Sequence, residues 1–408
     1  MRIWRVPYPK FGDGPGLERC AAVAHRLGVD LAGFGARGAV IVGSNGKGST
    51  AAMCAAVLQQ TGASVGLFTS PHLLTLNERF RVGDNDISDA DLAHHWERVR
   101  AAIAAAKLDD ALGGFEFLFL IAADWFAARG CTHTVWEAGI GGRLDPVKLI
   151  EARQLALTAL DFEHTALLGE TLEAIALEKV AAAPDGAQLF VSEVAAPVKS
   201  RVRAVIEDYC AKHAVHTAFV DPIDHDLPLH GAHQQSNAAL ALALSQSLTT
   251  LSVEQIRQGL AATRWPGRLE VLNDEPLVVI DVGHTPDGVA QALRGFERMR
   301  GDRAGVLVCG VSADKDADAI ITQLAPAFGQ IVCTAALHKG ASPAVIASLA
   351  QKANPQAEIT LAESVAEARR VALAKATSGA AYVAGGLFLA AEFKAVHLGR
   401  DPASLVFF

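Results

Sequence analysis

A glycine-rich turn with one lysine lies between a short apolar run and an alanine-rich stretch in VIVGSNGKGSTAAM, Val40 to Met53. Where such a turn follows a strand and opens a helix, its backbone N–H groups point at a common centre and the helix N-terminus adds positive potential. There Lys47 can reach the β- and γ-phosphates of a nucleotide, and the Ser49 hydroxyl can ligate Mg²⁺. The strict Walker pattern would have a glycine at position 41, where this chain has Ile41. The stretch therefore predicts a variant phosphate-binding turn; the alternative is a strand–turn–helix corner with a surface lysine.

Acidic and histidine side chains follow two further apolar runs. Glu137 comes directly after the run Thr134–Trp136, and Asp161 and His164 follow a run that is predicted to end at Leu160. Because the carboxyl ends of parallel strands share one edge of a sheet, we expect these side chains close to the phosphate turn. Each alone would more commonly be a solvated loop residue. Together with the turn they indicate a site for a metal and a nucleotide.

Strand-length apolar runs alternate with helix-length segments along most of the chain. The segments AAMCAAVLQQ and SVAEARRVALAKA have apolar residues at helical spacing. This alternation indicates an α/β fold built from βαβ units, with mainly parallel sheets covered by helices. Proline and glycine interrupt both patterns in Thr263–Pro276, so we predict two domains, residues 1–270 and 271–408, with a doubly wound sheet in each. The predicted strands are Val40–Val42, Val65–Phe68, Thr134–Trp136, Leu155–Leu160, Leu189–Val191, Leu277–Ile280, Val306–Cys309, Ile331–Cys333 and Tyr382–Ala384.

The composition limits the class of protein. The chain has 408 residues, of which 51% are apolar, so two or three domains with sizeable cores can form. A formal net charge of −8 argues against a nucleic-acid backbone as the main partner. The six cysteines have neither CxxC nor metal-ligand spacing, which is typical of a reducing compartment. Because the N-terminus lacks the apolar core of a signal peptide and the run Phe117–Ala123 is too short to span a bilayer, we expect a cytoplasmic protein without a membrane partner.

Six segments of the chain have specific patterns, in the order GSNGKGST, TSPHL, NERFRV, EAGIGGRLD, LGETLEAIALEK and WPGRLE. They resemble the folylpolyglutamate synthase/dihydrofolate synthase family, the folate branch of the Mur ligase superfamily. The likeness runs from about Phe11 to Glu392, and the Lys47 turn together with the GIGGRLD loop is its most specific part. It implies a P-loop-containing, Mur-ligase-like ATPase domain over residues 1–270, followed by a smaller Rossmann-like glutamate-ligase domain over residues 271–408.

The resemblance implies ATP and two Mg²⁺ ions as cofactors and gives roles to individual residues. The nucleotide-binding residues that it implies are Asn45, Gly46, Lys47, Gly48, Ser49, Thr50, Asn237 (at the adenine), Arg268 and Asp281. The implied metal ligands are Ser49, Glu137, His164 and Lys179, the last as a carbamylated lysine. The implied catalytic residues are Lys47, His164, Lys179, Arg268 and His284, and the implied substrate contacts are Ser70, Pro71, His72, Arg79, Arg143 and Asp145.

The activity that the resemblance implies is that of an ADP-forming ligase of folate biosynthesis and one-carbon metabolism. A substrate carboxylate would be activated as an acyl phosphate and joined to an amino acid, with L-glutamate added to dihydropteroate or tetrahydrofolate. Phosphoryl transfer depends mainly on positioning and on neutralising charge, which a lysine, an arginine and two metal ions supply. A wet site would lose an acyl phosphate to hydrolysis, so closure of a second domain has a chemical purpose. We expect a monomer.

Departures from the family pattern fall where the acceptor and the amino acid would bind. The family's DATN reads Asp145-Pro146-Val147-Lys148, Thr285 stands in its DGAHNP motif, and Gly386 replaces a serine. Such changes are compatible with drift in a genuine folate enzyme or with a paralogue that joins a different carboxylate and amine. A third reading is a non-catalytic nucleotide-binding protein, which would have no need of a metal-charged phosphoryl site.

Overall fold

The computed structural model describes residues 3–192 and 199–407, which fold into two compact units. The first unit comprises Met1–Pro228, Gln234–Arg264 and Val406–Phe408, and the second comprises Leu229–His233 and Trp265–Leu405. The main crossing between them, at Arg264–Trp265, lies inside the turn-rich stretch in which the sequence predicts a boundary.

The described part of the first unit has one sheet of eight strands, with the order β4-β3-β2-β5-β1-β6-β7-β8. The central strand β1 pairs in parallel with β5 and β6, whereas β3 runs antiparallel to β2 and β4 at one edge. Every residue of β1 is buried, which explains its uninterrupted apolar sequence. The strands are β1 (Gly38–Val42), β2 (Val65–Phe68), β3 (Phe80–Val82), β4 (Asn85–Asp86), β5 (His133–Glu137), β6 (Gln154–Leu157), β7 (Gln188–Ser192) and β8 (His216–Val220).

Helices cover this sheet, and two of them are buried on nearly all sides. In α2 the residues Gly48–Leu58 are all buried, and small alanine side chains allow this helix to pack closely among its neighbours. The apolar run Phe117–Ala123 lies inside α4 and belongs to the core. The helices are α1 (Leu17–Leu27), α2 (Lys47–Gln59), α3 (Asp89–Ala106), α4 (Gly114–Ala128), α5 (Thr165–Leu168), α6 (Leu172–Val180), α7 (Lys199–Lys212), α8 (His233–Leu248) and α9 (Val253–Ala262). Among the described residues, no helix combines the length and the apolar character needed to cross a membrane.

The second unit has its own core and its own sheet, for which the described residues give six strands in the order β13-β12-β11-β14-β10-β9. All neighbouring strands of this sheet are parallel except the hairpin of β9 and β10. The strands are β9 (Glu270–Asp274), β10 (Leu277–Ile280), β11 (Gly305–Cys309), β12 (Gln330–Cys333), β13 (Glu358–Leu361) and β14 (Ala380–Ala384). The helices are α10 (Pro286–Arg300), α11 (Ala317–Leu324), α12 (Pro343–Ala353), α13 (Val365–Ala376) and α14 (Leu387–His397).

The predicted α/β fold with mainly parallel sheets is confirmed. One predicted boundary near the site is wrong, since β6 ends at Leu157 and not at Leu160. Thr158 N still bonds to the carbonyl oxygen of Val42, but the next carbonyl, of Ala159, accepts from Ser44 N and Asn45 N. The apolar residues after Leu157 therefore fasten the phosphate turn instead of extending the sheet.

Candidate active site

The predicted phosphate turn links β1 to α2 and depends on two glycines. Gly43 and Gly46 have φ angles of 144° and 91°, which side-chain-bearing residues rarely adopt. A Cβ atom on Gly46 would lie only 2.3 Å from Oδ1 of Asn237 on α8. Glycine therefore lets the turn lie directly against α8, next to the residue that the resemblance assigns to the adenine.

The amine of Lys47 lies over this turn. Its Nζ donates to the carbonyl oxygens of Gly43 at 2.8 Å and of Ser44 at 3.2 Å. Ser49 and Thr50 follow in the first turn of α2 and are 1% and 0% exposed. The lysine and both hydroxyl residues thus occupy the same corner, at the carboxyl end of the central strand.

Glu137 is the last residue of β5, the strand beside β1. In the sheet register it pairs with Ile41, and its side chain is 4% exposed. Its Oε2 accepts from the backbone N–H of Ser70 at 2.9 Å. A buried carboxylate therefore lies at the same sheet edge as the phosphate turn, as the strand pattern predicts.

The loop after β6 completes this edge on the other side of β1. Asp161 accepts from the side chain of Asn45 at 3.3 Å, and its carbonyl oxygen accepts from Ser44 Oγ at 3.0 Å. His164 is the N-cap residue directly before the short helix α5, with a left-handed φ of 46°. The loop that carries the predicted histidine is thus attached to the phosphate turn by hydrogen bonds.

Lys179, on α6, is buried against the phosphate turn. It is 1% exposed, and its Nζ donates to the carbonyl oxygen of Gly43 at 2.8 Å and to Oε1 of Glu163 at 2.6 Å. Because Lys47 and Lys179 share the Gly43 oxygen, the two amines are close neighbours. Burial and the charge of Lys47 lower the pKa of Lys179 to about 8, against the attraction of Glu163.

Glu163 is a member of this cluster that sequence reasoning missed. Burial alone would raise the pKa of Glu163, but the nearby charges of Lys47 and Lys179 lower it to about 2. Its carboxylate is therefore ionised and bound to Lys179. Its position directly before His164 was a signal, but a glutamate in a polar loop is usually solvated, and nothing local indicated a buried partner.

The GIGGRLD loop, between β5 and the 3₁₀ helix Pro146–Ile150, is held by Asp145. Its carboxylate accepts from the N–H groups of Gly139 (2.9 Å), Ile140 (3.1 Å) and Val147 (3.0 Å), and the residue is 4% exposed. Burial raises the pKa of Asp145 to about 6, although these hydrogen bonds and Lys47 oppose the rise. The carboxylate that the resemblance implies as a substrate contact is thus fully engaged in shaping its own loop.

Arg143 and Gly142 join the same loop to α6. Arg143 donates from Nε to Oε1 of Glu178 and from its backbone N–H to the Glu178 carbonyl, both at 2.8 Å. A Cβ atom on Gly142 would lie 2.5 Å from the carbonyl oxygen of Lys179. The loop therefore connects the strand that ends in Glu137 with the helix that carries Lys179. The substrate roles of Arg143 and Asp145 stay predictions.

Asp145→Ala should lower the free energy of unfolding by about 3 kcal/mol, because three backbone N–H groups would lose their buried acceptor. Urea unfolding of the full chain measures the change. The matched control is Asp110→Ala, since Asp110 is exposed and its removal should change stability by less than about 0.5 kcal/mol. Equal stability of the two variants would show that Asp145 does not hold the loop.

The implied acceptor contacts lie on the segment from Ser70 to Arg79. Pro71 is exposed, whereas His72 and Arg79 are 3% and 1% exposed. Arg79 Nε donates to His72 Nδ1 at 2.9 Å. Burial and the nearby charge of Arg79 lower the pKa of His72 to about 3, so the imidazole is neutral. Two of the four residues are therefore enclosed by protein in this structure.

The second unit holds the remaining predicted residues at the carboxyl end of β10. Asp281 is 5% exposed and accepts from the N–H groups of Leu269 (3.1 Å) and Gly283 (2.7 Å). Burial raises the pKa of Asp281, and the charge of Arg268 opposes this rise. His284 follows in the loop and is half-buried, and Thr285 caps α10 by accepting from Gly288 N at 3.2 Å. The departure at Thr285 thus has a structural role as a helix cap.

Gly385 and Gly386, at the carboxyl end of β14, have φ angles of 121° and 151°. A Cβ atom on Gly385 would lie 2.5 Å from the carbonyl oxygen of Gly310. Only glycine fits at position 385. At Gly386, where the family pattern has serine, the positive φ is a conformation that glycine adopts without strain.

Among the residues that the structure describes, no group of three or more histidine, cysteine, aspartate or glutamate side chains is arranged to hold a metal ion. The implied ligand set includes only two residues of those types, Glu137 and His164, beside the hydroxyl of Ser49 and the modified Lys179. The metal ligands therefore stay a prediction.

The chain is similar to known proteins of the Mur ligase and folylpolyglutamate synthase type. The family described as Mur ligase, glutamate ligase domain, matches residues 267–387. The chain is 33% identical to the folylpolyglutamate synthase of Lacticaseibacillus casei over 320 residues, which is 71% of this chain and 74% of that protein. It is 31% identical over 409 residues to a probable bifunctional folylpolyglutamate synthase/dihydropteroate synthase of Haloferax volcanii, covering 94% of this chain but about half, 48%, of that protein's length.

The fold is also similar to a solved bifunctional folylpolyglutamate synthase/dihydrofolate synthase with Mn, AMPPNP and L-glutamate bound. The TM-score is 0.82 at 26% identity, and the match covers 97% of this chain and 99% of that one.

Proposed function

The chain belongs to the folylpolyglutamate synthase/dihydrofolate synthase family, and from this membership we propose that it is an ATP-dependent, ADP-forming ligase that joins a carboxylate to an amino acid. The carboxylate takes the γ-phosphoryl group of ATP and releases ADP, and the amine then attacks the acyl phosphate, forming the amide and releasing inorganic phosphate. The observation that carries the proposal is the corner at the carboxyl end of β1. There Lys47 and Lys179 share the Gly43 oxygen, with Glu137 on the neighbouring strand.

The residues at this corner fit a nucleotide and a hard divalent cation. Gly43 and Gly46 allow the backbone of the turn its positive φ angles, and the N–H groups of Gly46, Lys47 and Gly48 would face the phosphate oxygens, since those of Ser44 and Asn45 donate to the Ala159 carbonyl. A serine hydroxyl, a carboxylate and a carbamate would supply the oxygen ligands that Mg²⁺ prefers. When bound, the metal ion polarises the phosphoryl group and neutralises its charge.

During phosphoryl transfer, the chain's own residues would position the nucleotide and neutralise the negative charge on its phosphates. We assign the Lys47 amine and the backbone N–H groups of residues 46–48 to the phosphates. We assign Ser49, Glu137 and His164 to the metal, and Asn237 to the adenine. In the second unit we assign Arg268 to the phosphates, and Asp281 and His284 to the nucleotide and the incoming amino acid. These roles rest on the family membership and on the residue types.

Carbamylation of Lys179 is a further part of the proposal. The reaction with CO₂ requires a neutral amine, and a pKa of about 8 makes the neutral form accessible near physiological pH. From the sequence, the alternative interpretation of Lys179 was an unmodified lysine on the helix surface. At 1% exposure the side chain is buried beside the phosphate turn, which supports a role in the site.

L-Glutamate is the proposed amino acid, and dihydropteroate or tetrahydrofolate is the proposed acceptor. The solved relative with AMPPNP and L-glutamate supports this choice. The second candidate is a paralogue with a different acceptor, which the change to Pro146-Val147-Lys148 after Asp145 favours. We further propose a monomer in the cytoplasm, where the six free thiols would stay reduced.

Release of ADP from ATP with a panel of acceptors tests the function. Dihydropteroate, tetrahydrofolate and other aromatic carboxylates are each supplied with and without L-glutamate. We expect turnover that needs both a pteridine acceptor and glutamate. Turnover only with a carboxylate other than the two pteridines would establish the paralogue. ATP binding without turnover on any acceptor would establish a non-catalytic protein.

Glu137→Gln should raise the Mg²⁺ concentration that gives half-maximal activity by about tenfold or more, because it removes a charged oxygen ligand and keeps the side-chain shape. The measurement is an Mg²⁺ titration of ADP formation at saturating ATP. The control is Glu207→Gln, whose glutamate is exposed and pairs with Arg203. If both variants titrate like the unmodified protein, Glu137 is not a metal ligand.

A further inference from the structure

The segment Val406–Phe407, which we call the strap, belongs to the first unit and contacts the implied acceptor residues. Because Arg79 Nε donates to His72 Nδ1, the proton of the neutral imidazole is on Nε2, which donates to the carbonyl oxygen of Val406 at 2.8 Å. Arg79 Nη2 reaches the carbonyl oxygen of Phe407 at 3.5 Å. Two buried polar side chains thus bind two consecutive backbone carbonyls of the strap.

The ring of Phe407 adds an aromatic contact. It stacks on the imidazole of His72 with ring centroids 5.8 Å apart and planes inclined by 10°. Phe407 is 3% exposed, as is His72 beneath it. While the strap is docked, neither His72 nor Arg79 is open to a dissolved substrate.

The strap presents a defined chemistry to this pair of residues. It supplies a flat aromatic ring for the imidazole face and carbonyl oxygens for the N–H groups of His72 and Arg79. A planar aromatic heterocycle with neighbouring acceptor oxygens would satisfy the same three groups. Among the described residues, the contact includes one stacked ring and two hydrogen bonds to backbone carbonyls, and a ligand of that type can compete for the same groups.

We propose that the strap occupies the acceptor's place at His72 and Arg79, so that an aromatic acceptor and the strap bind there in competition. This inference rests on the proposed function, which gives His72 and Arg79 to the acceptor. Acceptor binding is then an exchange: the strap leaves, and the incoming molecule takes over the imidazole face and the two hydrogen bonds. Only molecules with an undocked strap can bind the acceptor, so the apparent Kd is the intrinsic Kd divided by the undocked fraction.

The test compares Phe407→Ala with the unmodified protein in a direct binding titration with dihydropteroate, without nucleotide. Removing the ring weakens strap docking, so the Kd for dihydropteroate should fall about tenfold. The matched control is Phe11→Ala, since Phe11 lies in the same unit, is 56% exposed and should leave the Kd unchanged. In the unmodified protein, dihydropteroate should also increase hydrogen exchange in the peptide that contains residues 406 and 407.

Other outcomes overturn either the strap proposal or the proposed ligase activity. Weaker binding by Phe407→Ala would make the ring a support of the acceptor site, and an unchanged Kd would show that the strap and the acceptor bind at separate places.

If dihydropteroate binds neither protein, the competition is refuted for this ligand, while ADP formation with another acceptor would still uphold the ligase. Tighter binding by the variant without turnover on any acceptor would keep the strap proposal and refute the ligase. Should Phe407→Ala fail to fold, Phe407→Leu keeps an apolar side chain but cannot stack.

Discussion

Lys47→Ala should reduce ADP formation by about a thousandfold at saturating ATP, since it removes the one lysine of the phosphate turn. Preorganised charges that face a transferring phosphoryl group commonly contribute factors of this size. Among the described residues, the Lys47 amine donates to the carbonyl oxygens of Gly43 and Ser44 in its own turn, and the side chain is half-buried. We therefore expect the urea unfolding curve to stay close to that of the unmodified protein.

The matched control is Lys212→Ala, which removes an exposed lysine that pairs with Asp208 on α7. Its turnover should equal that of the unmodified protein. An active Lys47→Ala variant at saturating ATP would refute the assignment of the turn to phosphate.

Lys179→Ala should lower turnover by at least about a hundredfold, and a short carboxylic acid such as acetate should restore part of it. The acid would fill the gap and supply the oxygen ligand that the carbamate gives. In the unmodified protein, ¹³C-labelled bicarbonate should give a carbamate NMR signal that the variant lacks. Because the pKa of Lys179 is lowered to about 8 and only the neutral amine reacts, this signal should grow as the pH rises from 7 towards 8.

A stability control is needed for this variant, because Lys179→Ala leaves Glu163 buried without its 2.6 Å ion pair. Such a loss typically costs about 3–5 kcal/mol. The double variant Lys179→Ala/Glu163→Gln removes the unpaired charge and should unfold at higher urea than Lys179→Ala alone. The carbamate proposal fails if Lys179→Ala keeps normal turnover or if the unmodified protein gives no carbamate signal.

The sequence was informative wherever function depends on local pattern. A strand-length apolar run followed by Gly43, Gly46 and Lys47 predicted both the turn and its place at a sheet edge, because strand, turn and helix are adjacent in the chain. Glu137 was predicted for the same reason. The end of β6 was misplaced because Thr158–Leu160 is as compatible with a strand as the residues before it, and its change of partner depends on a tertiary contact.

Contacts between distant parts of the chain could not be read in this way. The hydrogen bond of His72 with Val406 joins residues that are 334 positions apart, and neither local sequence indicates the other. Likewise, the buried position of Lys179 follows from the packing of α6 on the GIGGRLD loop, and a Glu-Lys pair on a helix gives no sign of it. The partner of Lys179 is Glu163 in the preceding loop, while its sequence neighbour Glu178 binds Arg143.

The carbonyl oxygen of Gly43 holds two ammonium groups at 2.8 Å each, and this has a consequence for the energetics of the nucleotide. The amines of Lys47 and Lys179 already donate to carbonyl oxygens of the turn. An arriving phosphate therefore competes with these carbonyls for the positive charge of Lys47. If Lys47 turns to the phosphate, it leaves two carbonyl groups: the Gly43 carbonyl keeps its bond to Lys179, and the Ser44 carbonyl would bind water. Part of the intrinsic attraction is therefore spent on rearranging the turn, and nucleotide affinity depends on how easily Gly43 can change from two partners to one.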